Sequence, residues 1–428
     1  METKKSKSNR RHFLQSMSGM GVLLARNYRA FAGSGPNNRI RVGFIGVGGM
    51  GTERLKGFLR YEDVEVAGIC DVDSRHLNQA LDEVEKRRNQ RPEGFQDFRK
   101  LLERNDIDAV MIATPDHWHA LTTITACQAG KDVFVEKPLC HNLLEGQKML
   151  EAATKFKRIT QLGNHIHNDI DNYRRVVEMV QSGKLGKITR VHCWKTSDTG
   201  PGLGSPPDGD PPAELDYNFW LGPAPKRPFN PNRSHFNFRY FWDYSGGIFI
   251  DFWCHITDVA YWALNLTAPT SVMATGGRYF RKDNTETPDC MDVLYEYPTL
   301  TLAWTLHPQP PAFPHMGGIG CIFYGADATL VTNYSSNEIW VDGKKIDDFA
   351  RPDPTIPKSP GHIREFLDSI KSREKTTCNI EYAYRLTKAG LLGNIAYRVG
   401  ERIEWDNQRE KILHNSEANA LARRKYRG

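Results

Sequence analysis

The chain has 428 residues, 39% of them hydrophobic and 25% charged, an ordinary globular composition that suits two folded domains better than one. The formal net charge of +6 comes from the first 32 residues, where Lys4, Lys5, Lys7, Arg10, Arg11, Arg26 and Arg29 face one acid, Glu2; residues 33–428 therefore balance to zero. A body without basic excess argues against nucleic acid as the main partner. No run of about 18 uncharged apolar residues is present to span a membrane.

At the start, Asn9-Arg10-Arg11-His12-Phe13-Leu14-Gln15 resembles the twin-arginine export motif. An apolar stretch follows from Met17 to Ala25, and Ala30-Phe31-Ala32 fits a small-x-small cleavage site, although Arg26-Asn27 interrupts the leader before it. Residues 1–32 are read as an export leader, which implies a periplasmic location. From 36 to 163, strand-like segments (39–45, 64–70, 109–113, 133–136 and 159–162) alternate with helical ones (53–59, 77–88, 120–129 and 143–156). That alternation predicts a doubly wound parallel sheet covered on both faces, a Rossmann α/β domain.

The pattern changes over residues 164–380. A helix (173–181) and a strand (188–194) precede a Pro/Gly-rich stretch, 197–232, of a length that is often functional. Alternating segments such as 293–297 and 301–306 then predict an α+β domain with an open, mostly antiparallel sheet. A helix is expected over 363–371. Residues 381–428 read as a helix, 382–399, and a tail whose Arg423, Arg424, Lys425 and Arg427 are expected to be solvated. The eight cysteines (70, 127, 140, 193, 254, 290, 321 and 378) form no C-x-x-C pair, so they read as buried thiols, with neither a zinc site nor a disulfide framework.

Gly46-Val47-Gly48-Gly49-Met50-Gly51 contains G-x-G-x-x-G directly after a strand and opens a helix, the context in which this pattern binds a dinucleotide. Gly46 serves the tight turn, Gly48 the approach of a pyrophosphate, Gly51 the packing of helix on strand, with Gly49 and Met50 in the same loop. The diphosphate is expected at the helix N-terminus. Asp71, 20 residues after Gly51, can bind both ribose hydroxyls and repel a 2′-phosphate, which favours NAD over NADP; Arg75 nearby keeps NADP as the alternative.

Further residues carry a family resemblance. Thr114-Pro115-Asp116-His117-Trp118-His119, Glu136-Lys137-Pro138 and Gly246-Gly247-Ile248-Phe249-Ile250-Asp251-Phe252-Trp253-Cys254-His255 together resemble the Gfo/Idh/MocA family of sugar and inositol dehydrogenases over roughly residues 39–400. The resemblance implies a Rossmann domain, a second domain whose open sheet mediates homo-oligomers, and a small carbohydrate substrate. It matches Lys137 to the family's EKP lysine and Asp251 with His255 to its D-x-x-x-H pair. Thr114, Pro115, His119, Glu136 and Asn164 are thereby placed with the cofactor. The chain departs from the family at Trp253, where glycine is common, and at Gly163-Asn164-His165-Ile166-His167, where relatives often carry arginine. Asp216-Tyr217-Asn218-Phe219-Trp220-Leu221-Gly222-Pro223 resembles a segment of exported family branches.

Oxidising a secondary alcohol needs a hydride acceptor and a base for the hydroxyl proton. His255 is the expected proton-transfer residue. Lys137 would stabilise charge on the reacting oxygen, and Asp251, one helical turn before His255, would orient the substrate or the imidazole. Asp258 reads as structural and Cys254 as a packing residue. His117, Trp118, His165, Trp220 and Trp253 are candidates to line a sugar site. His117, His119, His165 and His167 match no standard zinc spacing, so no metal is expected. An exported enzyme would carry its NAD tightly bound and would have to regenerate it in place. Net sugar oxidoreduction is one way to do so; redox-neutral glycoside cleavage or epimerisation through a transient ketone is the alternative, although relatives using that route tend to lack the EKP lysine. A non-catalytic NAD- or sugar-binding protein is the reading from another class, opposed by the intact Lys137, Asp251 and His255.

Overall fold

The computed structural model describes residues 39–310 and 313–427; the expected export leader lies outside the described residues. Strands β1 (Ile40–Ile45), β2 (Val64–Cys70), β3 (Glu93–Phe95), β4 (Ala109–Ile112), β5 (Asp132–Val135) and β6 (Thr160–Leu162) form one parallel sheet in the order β3-β2-β1-β4-β5-β6. β4 and β5 are buried at every position, which is why they read as unbroken apolar runs. Parallel pairing sets Ile45 beside Cys70 and Ile112, and Val135 beside Ile112 and Leu162. The carboxyl ends of these strands therefore open on one edge. Strand order reverses between β1 and β4, the place where an open α/β sheet leaves a ligand crevice.

The second sheet has ten strands in the order β14-β13-β12-β11-β7-β10-β9-β8-β15-β16. They are β7 (Arg190–Thr196), β8 (Ser271–Gly277), β9 (Cys290–Glu296), β10 (Thr301–His307), β11 (Ile319–Tyr324), β12 (Thr329–Thr332), β13 (Asn337–Val341), β14 (Lys344–Lys345), β15 (Ile403–Asp406) and β16 (Lys411–Leu413). Only β7 and β10 pair in parallel; the other neighbours are antiparallel. In β10, Leu302, Trp304 and Leu306 are buried while Ala303 and Thr305 are half-buried, the alternation expected of a sheet with one wet face. The dry face packs on the helices Gly247–Ile256 and Ile380–Val399, with Trp253 against Phe249, Tyr295 and Trp304.

Three placements differ from the sequence expectation. Residues 403–413 add strands β15 and β16 to the second sheet. The helix His362–Ser372 buries Ile363, Phe366, Leu367 and Ile370 in the Rossmann core, although it follows the second domain in the chain. The tail is docked: Arg424 donates to Asp243 O (2.8 Å) and His117 O (3.1 Å), and Arg427 to Asn218 O (2.6 Å) and Gly222 O (3.1 Å). Guanidinium forks meeting backbone carbonyls at a domain junction hold more tightly than charge composition suggests.

Candidate active site

The dinucleotide loop sits at the switch point. Gly46 has φ +83° and donates to Cys70 O at 2.8 Å; a Cβ there would lie 2.8 Å from Ala113 O, and one at Gly51 only 2.0 Å from Gly46 O. Both must be glycine for the chain to pack on itself. Gly48 and Gly49 differ: a Cβ on Gly48 meets only the His76 ring, at 3.7 Å, and one on Gly49 meets nothing within 4 Å. These two, with Met50 at 42% exposure, face the crevice at the start of the helix Gly49–Phe58, whose first amides lack intrahelical partners. Thr114 Oγ1 is buried without a partner where the turn after β4 meets this loop. Free amides, an open loop and an orphaned hydroxyl fit a bound dinucleotide.

Asp71 ends β2. Its carboxylate accepts from Val47 N at 2.7 Å and Asp73 N at 2.9 Å. Burial raises its pKa and outweighs those hydrogen bonds. Each oxygen keeps acceptor capacity for a ribose hydroxyl. Glu136 is held by Arg54 at 2.5 Å, so the glutamate's carboxylate is already paired inside the protein.

The residues expected to be catalytic come together across the two domains. Lys137, just past the end of β5, hydrogen-bonds the Asp251 carboxylate and donates to Asp251 O at 3.1 Å. Arg239 Nε lies 3.4 Å from the other carboxylate oxygen. Burial pushes the Asp251 pKa up, but Lys137 and Arg239 outweigh it and hold it at about 2. Two cations on one carboxylate leave the cluster net positive, the charge needed to stabilise a developing alkoxide.

His255 is oriented by a different residue from the one expected. Asn164 Nδ2 donates to Cys254 O at 2.8 Å, which fixes its amide and leaves Oδ1 as the acceptor for His255 Nδ1, at 3.0 Å. Nδ1 must therefore carry the proton, and Nε2, which has no protein partner among the described residues, has a free lone pair. Burial, then the charge of Lys137, lowers the His255 pKa well below its ordinary value, so the ring stays neutral and able to accept a proton. Asn164, expected beside the cofactor, spends its amide on this positioning. Asp251 belongs to Lys137 and Arg239 rather than to the imidazole.

Of the residues expected to line a sugar site, His165 alone stands at the centre: its ring lies 5.5 Å from that of His255. His117 and Trp118 both direct a ring nitrogen at Trp220 O, at 3.1 and 2.9 Å, and Trp118 stacks on Phe219. They dock the helix Tyr217–Leu221 onto the helix Asp116–Gln128, and His117 is fully buried with its pKa lowered to about 3, chiefly by burial. Trp253 is core, its indole donating to Leu386 O at 2.8 Å. His119 places its two nitrogens on Pro138 O (2.8 Å) and Thr114 O (2.9 Å), tying the Thr114-Pro115 turn to the segment that carries Lys137. Asp258 is structural as expected, bonded to His167 (2.9 Å) and Tyr382 (2.7 Å). Cys254 is buried, and burial raises its thiol to about 12.

Sequence reasoning missed Arg54, Arg239 and His235. Arg239 sits in the segment that leads into Gly246-Gly247, so its nearness in sequence to Asp251 was the available signal. His235 reaches from the long excursion between β7 and β8 (residues 197–270) to Asp73 Oδ2, at 2.9 Å, with its ring 4.6 Å from that of His76. Among the described residues this trio is one group of three donor side chains that come within 4.8 Å of one another. Arg75, 3.6 Å from the same Asp73 oxygen, already supplies a cation there.

Fold and site together are those of a two-domain protein with an NAD-binding Rossmann domain. Residues 40–164 match the family model described as "Oxidoreductase family, NAD-binding Rossmann fold", and residues 173–301 and 325–428 match "Oxidoreductase family, C-terminal alpha/beta domain". The chain belongs to the Gfo/Idh/MocA oxidoreductase family and binds NAD through its Rossmann domain. It is 31% identical over 204 residues to a glycosyl hydrolase family 109 protein of Shewanella pealeana, covering 42% of this chain and 44% of the relative. It is 32% identical over 157 residues to an alpha-N-acetylgalactosaminidase of Shewanella oneidensis, covering 35% of this chain and 33% of that one. The chain thus spans less than half the length of these curated relatives. In fold it is similar to the WlbA dehydrogenase of Bordetella pertussis in complex with NADH and UDP-GlcNAcA (TM-score 0.61, 18% identity, 86% of this chain and 99% of that one). It is also similar to a levoglucosan dehydrogenase in complex with NADH (TM-score 0.61, 15% identity, the same coverage).

Proposed function

We propose that this protein transfers a hydride between NAD(H) and a secondary hydroxyl of a sugar, glycoside or cyclitol. The observation that carries this reading is the pairing of a cationic Lys137–Asp251–Arg239 cluster with a neutral His255 whose Nε2 is free. NAD, when bound, supplies the hydride acceptor at the crevice. His255 Nε2 takes the hydroxyl proton, Lys137 stabilises the oxygen as its negative charge develops, and Asn164 keeps the imidazole in the accepting tautomer. The sugar class is supported by the UDP-GlcNAcA and levoglucosan named for the structural neighbours.

The second reading is redox-neutral glycoside cleavage, favoured by the likeness to family 109 glycosyl hydrolases. Both readings gain from a retained cofactor. The excursion is tied to the segment after β2, beside the Asp71 that would hold the adenosine ribose, through Ser74 N to Glu214 O (2.9 Å), Asp216 N to Val72 O (3.0 Å) and His235 to Asp73. Retention would suit export as a loaded, folded protein, which the leader Asn9–Gln15 supports. The wet face of the second sheet, with Met273 47% exposed, supports self-association there.

The deciding experiment starts from protein purified without added cofactor. It is denatured and its supernatant assayed for NAD(H) and NADP(H). The intact protein is then given α-N-acetylgalactosaminides and paired sugars with no added cofactor. Released NAD(H) with keto-sugar formation supports oxidoreduction, and aglycone release without net oxidation selects the second reading. No binding of either dinucleotide, carried or added, sinks both.

A further inference from the structure

Where the tail crosses the domain junction, a cavity of about 180 Å³ opens beside Trp242 and Gly246. Its floor is Asn142 and Asn394, each 5% exposed. Their neighbours fix both amides: Asn142 Oδ1 accepts from Glu145 N (3.1 Å), and Asn394 Nδ2 donates to Gly246 O (2.9 Å). Asn142 Nδ2 is left as a buried donor and Asn394 Oδ1 as a buried acceptor, neither with a partner among the described residues. Beside them, His141 Nε2 donates to Trp242 O at 2.8 Å, so its neutral ring presents Nδ1 as a second acceptor, also buried and unpartnered. Burial and the nearby Arg424 hold His141 in that neutral form. Buried polar atoms are nearly always paired, and three orphans around one cavity call for a ligand or ordered water.

The rim carries the opposite chemistry. Arg398, Arg423 and Lys425 line the opening, and none of their side chains makes a hydrogen bond or ion pair among the described residues. Arg424 is taken up by Asp243 O, His117 O and Glu145, while the lining acid, Asp243, is paired with Arg227 at 2.9 Å. Arg398 lies 5.1 Å over the Trp242 ring, so a cation and an indole meet in the same wall of the cavity. A donor and two acceptors beside an indole suit a hydroxylated ring, and cations without an acidic partner among the described residues suit an anionic substituent.

We propose that this cavity is a second ligand site, distinct from the nicotinamide crevice, for a monosaccharide-sized hydroxylated anion of the sugar-acid or sugar-phosphate type. The test is calorimetric titration of the full-length holoenzyme with glucuronate, glucose 6-phosphate and glucose, at low and high salt. Asn142→Asp keeps the oxygen that caps Glu145 but replaces the buried donor with a repelling charge; Arg398→Gln removes a rim cation at an exposed position. Saturable binding of either anion, weakened by salt and at least about tenfold in both variants, with glucose bound no better than in the variants, confirms the site, and the stronger anion identifies the substituent. Three results overturn it: no saturable binding of either anion, affinities unchanged in the variants, or sedimentation showing a dimer whose formation protects Trp242. Should Asn142→Asp fail to fold, the Arg398→Gln comparison decides alone. Dinucleotide content is expected to stay unchanged throughout, so failure here is distinguishable from failure of the oxidoreductase reading.

Discussion

Replacing Lys137 by Met separates the electrostatic account of the site from a merely steric one. Asp251 keeps a side-chain exposure of 14% and is left with Arg239 alone, at 3.4 Å. In the parent protein, Lys137 and Arg239 hold its pKa at about 2 against an ordinary 3.8, which is worth about 2 kcal/mol near neutrality. That contribution is complete above pH 3.8 and is lost as pH falls through about 2, since the depressed pKa belongs to the folded state. In the variant the sign reverses. Without Lys137 the buried carboxylate is driven toward its protonated form, and neutralising it costs about 4 kcal/mol at pH 7 but only about 2 kcal/mol at pH 5. Because Arg239 remains, a loss of about 3–5 kcal/mol at pH 7 is expected, the range for a broken buried pair. Urea unfolding at both pH values should show the gap between parent and variant widening as pH rises. Hydride transfer, followed by nicotinamide absorbance, should fall about 100- to 1,000-fold with cofactor content unchanged. Lys137→Met combined with Asp251→Asn should recover stability without recovering turnover. A variant as stable as the parent at both pH values, or one with undiminished turnover, would refute the reasoning.

Asn164→Ala frees the imidazole of His255 and should lower kcat about 10- to 100-fold with the KM for NAD unchanged. Asn164→Asp keeps the acceptor for Nδ1 but adds a charge that raises the His255 pKa; the acid limb of its pH–rate profile should move up toward neutrality, while the parent stays active well below pH 6.5. An unmoved limb would mean that His255 is not the base. His235→Ala removes the hydrogen bond from the excursion to Asp73 and should speed NAD release at least about tenfold in a dilution assay, with little change in the chemical step; metal found in the parent and lost in this variant would instead mark the trio as a cation site. His117 and His192 are buried with pKa values of about 3 and about 4, lowered chiefly by burial. Depressed folded values mean stability that is full above the ordinary 6.5 and lost as pH falls, by about 5 kcal/mol for the pair on reaching pH 4.5. Melting temperatures across that window check this, and His117→Phe should flatten the dependence.

The parts of this protein that could be read from the sequence are those whose chemistry is fixed by near neighbours along the chain. The dinucleotide loop is one: Gly46 and Gly51 are forced by contacts within a single strand–turn–helix unit, and the apolar runs of β4 and β5 announce burial on both faces. Lys137, Asp251 and His255 were found through motifs, and the structure brings all three to one place. The two short elements at residues 93–102 escaped because neither is long enough to establish a period. β15 escaped because its pairing partner, β8, lies more than a hundred residues away in the chain, and β16 is only three residues long and pairs with β15 alone.

The same distinction explains which site residues were misplaced. His117, Trp118 and Trp220 have the chemistry of a sugar site, and side-chain type cannot separate that use from docking one domain on another. What decides it is Trp220 O, a backbone acceptor contributed 102 and 103 residues away, which takes a ring N–H from one neighbour and meets the other. Asn164 is the converse case. The family resemblance placed it with the cofactor, but the orientation of its amide is settled by Cys254 O and the tautomer of His255 follows from it. The base proposed here, His255, is thus oriented by a hydrogen-bond chain that passes twice between domains, so its tautomer depends on how the domains meet rather than on any motif. His117, Trp118, Trp220 and Arg424 also join the two parts of the chain, so they are expected to influence the proposed chemistry through how the domains meet. Damage there should show as slower chemistry in protein that still holds its NAD.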